Sequence, residues 1–527
     1  MFEPFEERKQ VSFGDIENNL PENLKKQLYD GWPGMFNQHV FSEIDEDKFA
    51  DMYDQNQGRP NFPVKVLVSL EILKHTFDLS DKELLESFHF DTRFIVALSL
   101  QEVGQLTLGE RTLYDFRERL IDYSNEHGYN PLNEIFDDLV DNFLDTADID
   151  SDIQRMDSTM VEANIKHLSR IDLMRKVFAN FVNILSESQK NRIHKNTLKV
   201  LDDSQFNKYL NNCEYEEVIE SLLGKLKNVK EHFKNNDEIT QTKEYKHLCR
   251  ILEEQSIKTT KQLKAKDDNE IDSSSMQNPN DEDATYRKKG NKSYQGYSCN
   301  ISETADPNNP VQMITDISVK PNICSDVEFL QKRIDDINQK TGLEQLIVDG
   351  AYYGSESKKK AQSNNTELIP TTLTGKTPEY STADFDIEEN KGIVFCPINV
   401  KPIKTKYLES SDTYAAWFNK SDCKNCSYEN CPIEEQKKNM TVRFKHKRHK
   451  RDQLRQKLSS KKYKKLKKSR PAIEGTISAL KRSQGLDKFK VTGLLKTLCS
   501  SMFKALGYNF KQLTKALKMK SKPVLNS

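Results

Sequence analysis

Apolar residues follow a helical period through the first 150 residues and a strand period in several later segments. From Pro63 onward, Val64, Leu67, Val68 and Ile72 predict a helix. Ser80 with Glu83, and Thr112 with Asp115, have the spacing of capping boxes and predict two more. The residues before about 60 predict an irregular acidic lead-in, with short helical stretches and a turn at Gly58-Arg-Pro-Asn. Residues 153–161 predict a strand ending near Asp157. A charged helical segment follows over roughly 165–275, where Val218, Ile219, Leu222, Leu223, Leu226 and Val229 form one stripe. Lys266 to Asn280 predicts a polar loop.

Strand alternation resumes at about 294–303 and 311–319, the latter through Val311, Met313, Thr315, Ile317 and Val319. Ser325 and Glu328 predict the cap of a helix reaching about Gln339. A buried strand, Gln345 to Val348, delivers Asp349, and a helix and a strand at Leu368 to Leu373 follow. Pro471 opens a last helix that Gly485 closes. The order is strand, insertion, two strands, helix, strand, helix, strand, second insertion, helix. It predicts an α/β fold preceded by an all-α region, with no internal repeat. The boundaries expected are a helical N-terminal domain over 1–150 and a core over 151–164, 281–377 and 456–490. A helical insertion over 165–280, a Cys-bearing insertion with a basic stretch over 378–455 and a helical segment over 491–527 complete the chain.

With 527 residues, 35% hydrophobic and 31% charged, the chain has room for several domains and a sizeable core. No run approaches a membrane span, and the N-terminus lacks a signal-peptide pattern, so no membrane partner is expected. Nine cysteines without an even, closely spaced framework point to a reducing cytoplasm. The net charge of −1 hides a segregation. Acid concentrates in the N-terminal third, and about half of the positions from Lys437 to Arg470 are Lys or Arg, with Asp452 the only acid. Phe444, Tyr463 and Leu466 interrupt that run, which suits a surface that tracks phosphates better than a disordered tail. His446 and His449 lie inside it and read as phosphate or solvent contacts.

Three acids stand in motifs of their own: Asp157 in Arg155-Met-Asp-Ser-Thr, Asp349 in Leu346-Ile-Val-Asp-Gly, and Glu474 in Arg470-Pro-Ala-Ile-Glu-Gly. Singly, each has a plain structural explanation: a strand-end turn, an Asp-Gly turn, a surface ion pair. Together they form an oxygen donor set for a pair of hard divalent ions, which can drive in-line displacement at phosphorus. At 100° per residue, Arg470, Glu474 and Lys481 share one helical face, beside an apolar stripe of Ile473, Ile477 and Leu480.

In these motifs the chain resembles the insertion-sequence transposases of the DDE class that carry a helical N-terminal transposase domain. The resemblance is to the insertion sequence 1182 group, within the larger insertion sequence 4/5-like superfamily. It also rests on Asn61-Phe-Pro-Val-Lys-Val-Leu-Val-Ser-Leu, Leu79-Ser-Asp-Lys-Glu-Leu and Thr112-Leu-Tyr-Asp-Phe-Arg-Glu-Arg-Leu, similar to that N-terminal domain. Asp157-Ser-Thr-Met-Val-Glu-Ala-Asn and Asp349-Gly-Ala-Tyr-Tyr-Gly resemble the first two catalytic motifs. Asp281 to Gly290 and Gly296-Tyr297 resemble the approach to the second strand. Arg470, Glu474 and Lys481 match the signature around the catalytic glutamate, although Lys467 stands where that signature usually has Tyr.

The resemblance implies a ribonuclease H-like core, two Mg²⁺ ions replaceable by Mn²⁺, and Asp157, Asp349 and Glu474 as catalytic ligands. It also implies DNA contacts by Arg470, Lys481, Tyr352 and Arg287, with Lys461, Lys462, Lys464 and Lys465 supplied by the basic run. A buried core role fits Tyr352 equally well. The substrate implied is double-stranded DNA, at terminal inverted repeats and target, engaged by a homodimer at the nucleoid. The short capped helices of residues 1–145 suit a helix-turn-helix-like reader, and an ordinary bundle for protein contacts fits the same pattern. An inactive, domesticated transposase that only binds DNA and a ribonuclease H-like nuclease are the alternative functions.

Cys396, Cys423, Cys426 and Cys431 fall within the second insertion, and Cys423-Lys-Asn-Cys426 has a spacing used by zinc thiolates. Buried free thiols, or a site that has lost its metal, fit the same residues. Few large apolar side chains stand nearby beyond Phe395, Tyr407, Tyr414, Trp417 and Phe418, so the segment is expected to be loop-rich and to take folding free energy from Zn²⁺.

Overall fold

The computed structural model describes residues 1–7, 15–54, 57–211, 213–258, 263–373, 375–389, 391–424, 426–428 and 431–521. The chain is mixed α/β, helical up to Ala147 and sheet-containing beyond it. It divides into two compact units, Met1–Leu343 with Ile473–Ser527, and Glu344–Ala472.

In the first unit, short helical turns lead to α1 (Val64–Phe77), which is apolar on almost every side and correspondingly buried. Ser80 caps α2 (Asp81–Phe90) as its spacing predicts: its Oγ accepts the Glu83 N–H at 3.2 Å, and Glu83 Oε2 accepts the Ser80 N–H at 2.8 Å. α3 (Thr92–Ala97), α4 (Glu110–His127) and α5 (Leu132–Ala147) follow. The second predicted capping box is not formed. α4 begins earlier, with Gly109 as its N-cap, so the Thr112 N–H already bonds the Gly109 carbonyl at 3.1 Å.

β1 (Ile153–Glu162) runs past Asp157 instead of ending there, because Ser158 to Glu162 keep pairing with the neighbouring strand. The insertion after it packs α6 (Arg170–Asn183), α7 (Tyr215–Phe233) and α8 (Lys243–Gln255) around an apolar cluster of its own. β2 (Thr285–Lys289), absent from the predicted elements, forms a hairpin with β3 (Lys292–Thr304). β3 then pairs antiparallel with β1 from Gly296 to Thr304 and with β4 (Ile314–Pro321). α9 (Asp326–Thr341) starts at the predicted Ser325 cap.

In the second unit, β5 (Gln345–Val348) and β6 (Glu367–Pro370) pair in parallel across the crossover helix α10 (Ser355–Ser363). The Cys-bearing segment is not loop-rich. It holds a two-stranded ribbon, Asp386–Glu388 with Gly392–Phe395, and four strands: β7 (Lys404–Leu408), β8 (Thr413–Phe418), β9 (Ile433–Glu435) and β10 (Met440–Lys445). Their order is β7-β8-β10-β9, and Phe385, Ile393, Tyr414, Phe418, Val442 and Phe444 give the segment its own small core. Strand alternation of Tyr414, Ala416 and Phe418 supplies what a count of large side chains misses. The basic run then forms α11 (His446–Ser459) and α12 (Lys461–Ser469).

Back in the first unit, α13 (Ala472–Gln484) ends before Gly485 (φ +60°), and α14 (Leu494–Lys520) packs on α1, α5 and β4. The Asn509 amide pairs with Ile314, donating to its carbonyl at 2.7 Å and accepting its N–H at 2.8 Å.

Arg117 of α4 ties α1 and α2 together, bonding Glu71 Oε1 at 2.7 Å through Nε and Asp81 at 2.6 and 3.0 Å through its two Nη atoms. Burial works against the Asp81 carboxylate, but Arg117 and Lys74 outweigh it and hold the group well below the usual range. The network therefore stabilises the fold fully above the unfolded carboxylate value of about 4 and loses that contribution as pH falls below it. Arg117→Met should strand Glu71, whose side chain is 4% exposed, and cost about 3–5 kcal/mol. Amides of residues 64–127 in the full-length chain should then exchange faster, and wild-type rates would show that the clamp adds nothing.

Candidate active site

Strand alternation puts Arg155 and Asp157 on one face of β1. Arg155 lies opposite Glu303 of β3, and its Nε donates to Glu303 Oε1 at 2.6 Å, with the two side chains 5% and 0% exposed. Glu303 Oε2 accepts the Thr476 hydroxyl of α13 at 2.7 Å, and Thr476 lies 3.3 Å from the Tyr508 hydroxyl of α14. Burial pushes the Glu303 carboxyl up, while Arg155 and Thr476 pull it back. α13 thus runs beside β1: Thr476 meets the partner of Arg155, Lys481 Nζ approaches the Met160 carbonyl at 3.5 Å, and Lys488 bridges Glu162.

Asp157, half-buried in mid-strand, accepts the Ser158 N–H at 2.9 Å, and the Ser158 hydroxyl bonds Asp326 at 2.6 Å. Glu474 is exposed in the first turn of α13, whose other side buries Ile473, Thr476, Ile477 and Leu480. These two acids belong to the first unit.

Asp349 belongs to the second unit, where it follows β5 at the carboxyl end of a parallel pair, a common place for functional groups. Its Oδ1 accepts the Gly350 N–H at 2.6 Å and lies 3.5 Å from the Thr372 hydroxyl. Gly350 is required by space: a Cβ there would stand 2.7 Å from the Thr372 carbonyl oxygen.

Arg470 does not share the Glu474 helix. It is the C-cap of α12, and Pro471 separates it from α13, so the single-face reading holds for Glu474 and Lys481 only. Tyr352 is fully buried, which leaves no ring face for a nucleotide. Arg287 spends Nη1 on the carbonyls of Asn322 and Cys324, at 2.8 and 3.1 Å. Asp281 and Tyr297, far apart in sequence, meet in a buried hydrogen bond.

On α12, Tyr463 and Leu466 face inward while Lys461, Lys462, Lys464 and Lys465 are exposed. Tyr463 anchors the helix by donating to Glu367 at 2.7 Å. The two histidines of the basic run differ, His449 being buried and His446 half-buried. His449 is buried against the Thr382 carbonyl at 2.8 Å, and His446 Nδ1 lies 2.9 Å from the Tyr414 hydroxyl. Asp452, the sole acid of the run, is buried and pairs with Arg455 at 2.7 Å.

Cys396, Cys423, Cys426 and Cys431 line one cavity of about 110 Å³. Main-chain N–H groups of Val400 and Tyr428 donate to the sulfurs of Cys396 and Cys426, both at 3.4 Å. Burial, with the other three thiols adding to it, pushes Cys431 up to about 12. Three carboxylates suit a hard cation and four thiols a softer one. Among the described residues, however, no three His, Cys, Asp or Glu side chains stand close enough to hold a metal ion.

Sequence reasoning missed Glu303 and Thr476, whose pairing crosses 173 positions. It also missed the β2–β3 hairpin, although Gly290-Asn291 between strand-forming residues is a hairpin signal.

Residues 395–514, which contain Glu474 and Lys481, match the family described as Transposase DDE domain. Residues 31–119, spanning α1 to α3 and half of α4, match the Transposase domain (DUF772). These two matches support an insertion-sequence transposase. No curated protein and no solved structure matches the chain.

Arg155→Met and Glu303→Leu should each cost about 3–5 kcal/mol, because each breaks a buried ion pair by removing one of its members. The double variant should recover most of that loss. A double-mutant cycle followed by hydrogen exchange in β1 measures the coupling, and strictly additive losses would show that the pair is not the link.

Proposed function

We propose that the chain is a DNA transposase that binds the terminal inverted repeats of its element, cleaves there and joins the freed ends to target DNA. The observation that carries this reading is the transposase DDE-domain match across Glu474, in a chain that also places Asp157 on a strand of the first unit and Asp349 at a strand end of the second. DDE transposases generally use divalent metal ions such as Mg²⁺. In a ribonuclease H-like arrangement, Asp157, Asp349 and Glu474 would hold two such ions, with Mn²⁺ able to replace Mg²⁺. Two ions held there would lower the pKa of the attacking hydroxyl and would take up charge on the leaving oxygen.

The chain's own residues then bind and orient. Lys481 neutralises a phosphate beside the reaction centre, and Arg470 contacts the same strand. The exposed lysines of α12 supply sequence-independent affinity through counterion release. The helices of residues 1–145 read the repeat, whose inverted symmetry suits a homodimer. No helix among the described residues is long and apolar enough to cross a membrane, and we place the activity in the cytoplasm at the nucleoid.

Asp157→Asn, Asp349→Asn and Glu474→Gln should each abolish end cleavage, by several orders of magnitude, while leaving end binding intact. Mn²⁺ should support cleavage and Ca²⁺ should not, because Ca²⁺ takes longer, looser coordination. Near-wild-type cleavage by any one of the three variants would sink the assignment. DNA binding without cleavage by the wild-type chain would identify a domesticated binding protein.

For the second unit we propose one Zn²⁺ on Cys396, Cys423, Cys426 and Cys431, supported by their shared cavity and by the N–H bonds to two of the sulfurs. The sulfurs would have to draw together around the ion, and the segment's own sheet means that zinc organises the Cys loops instead of the whole insertion. EDTA-washed protein should retain about one zinc per chain. Cys423→Ser with Cys426→Ser should lose it and expose residues 420–435 to protease. Metal-free wild-type protein still protected over 420–435 would leave the thiols simply buried.

A further inference from the structure

The β2–β3 hairpin carries Arg287-Lys-Lys-Gly-Asn-Lys292 across its tip. Arg287 is engaged with main-chain carbonyls, but Lys288, Lys289 and Lys292 are all exposed. Lys289 and Lys292 are direct cross-strand partners, and like charges placed so destabilise a hairpin. The two-residue turn puts Gly290 at φ +62° in its first central position, a tight connection that holds the lysines in place. The Lys292 ammonium lies over the Tyr294 ring, 4.7 Å from its centroid.

Lys481 adds a third cation to this pair. Its half-buried ammonium, 3.5 Å from the Met160 carbonyl, is pushed down by burial first; Asp487 opposes the shift, and Lys292 and Lys289 add to it. Glu162 of β1 pairs with Gly296 of β3 and bridges Lys488 just beyond α13, which brings the hairpin to the far end of that helix. Among the described residues none of Lys288, Lys289, Lys292 and Lys481 forms an ion pair, whereas Lys74 and Lys340 of the same unit pair with carboxylates at 2.6 Å. Repulsion built into a stiff hairpin and left without a carboxylate is relieved by a polyanion.

We infer that the β2–β3 hairpin, through Lys288, Lys289 and Lys292, clamps DNA backbone phosphates together with Lys481. This inference rests on the transposase reading and adds a contact surface to it. Lys481 stands seven positions after Glu474, a rise of about 10 Å on one face of the helix, so the clamped phosphates lie close to the scissile one.

The test uses the full-length chain, a duplex from the element's end and an unrelated duplex of equal length. Lys288→Gln, Lys289→Gln and Lys292→Gln combined should flatten the slope of log affinity against log salt by two to three on both duplexes, at about 0.9 for each phosphate no longer neutralised. Hydroxyl-radical protection should vanish next to the cleavage position. The comparison variant, with Lys461, Lys462, Lys464 and Lys465 changed to Gln, should weaken binding and keep that protected position. A hairpin variant with the wild-type slope and footprint, measured where the wild type binds, overturns the clamp alone. A wild-type chain that binds neither duplex overturns the transposase reading and the clamp with it.

Discussion

A guanidinium and a carboxylate removed from water between two paired strands are the constraint on which the first unit depends. Arg155 and Glu303 have almost no solvent contact, so removing either member of the pair is costly. Glu303 has a second oxygen to satisfy, and Thr476 satisfies it, which sets the position of α13 along β1. Tyr508 extends the contact to α14. The strand bearing Asp157 and the helix bearing Glu474 are thereby held by the same buried pair.

The long helix α14 carries this order outward. It packs on α1 and α5 of the N-terminal helices as well as on β4, and Asn509 bonds the main chain of Ile314 where β4 begins. Residues near both ends of the sequence therefore share one core with the sheet. The helical insertion behaves differently, since α6, α7 and α8 bury their stripes against one another. A sequence between β1 and β2 can grow in this way without disturbing the strands on either side.

Charge is arranged with similar economy. The formal charge of −1 averages acidic N-terminal helices with a basic segment whose lysines point outward from α12 while Tyr463 and Leu466 hold the helix down. The only acid of that segment is buried, where it neutralises its own neighbours and leaves the surface positive. Cations on the hairpin add to the same bias in the first unit. Matches to transposase domains at residues 31–119 and 395–514 fall on an acidic helical part and on the basic part, so the segregation follows the division of labour proposed for them.

Local rules were enough for much of this molecule. The Ser80 capping box, the Ser325 start of α9, the strand before Asp349 and the Gly485 stop of α13 all follow from a few adjacent residues, because caps and turns are satisfied by near neighbours. The candidate acids were legible for the same reason, each in a short motif. Tertiary structure decided the rest. Thr112 has capping spacing, but its N–H was already taken by a helix begun at Gly109. Asp157 sits in mid-strand because β3 continues to pair beyond it, and nothing within the β1 sequence announces where a partner strand stops. The Cys-bearing segment has a core because separate strands pool modest apolar faces. Arg155, Glu303 and Thr476 form one network across hundreds of residues, and only folding brings such charges close enough to require one another.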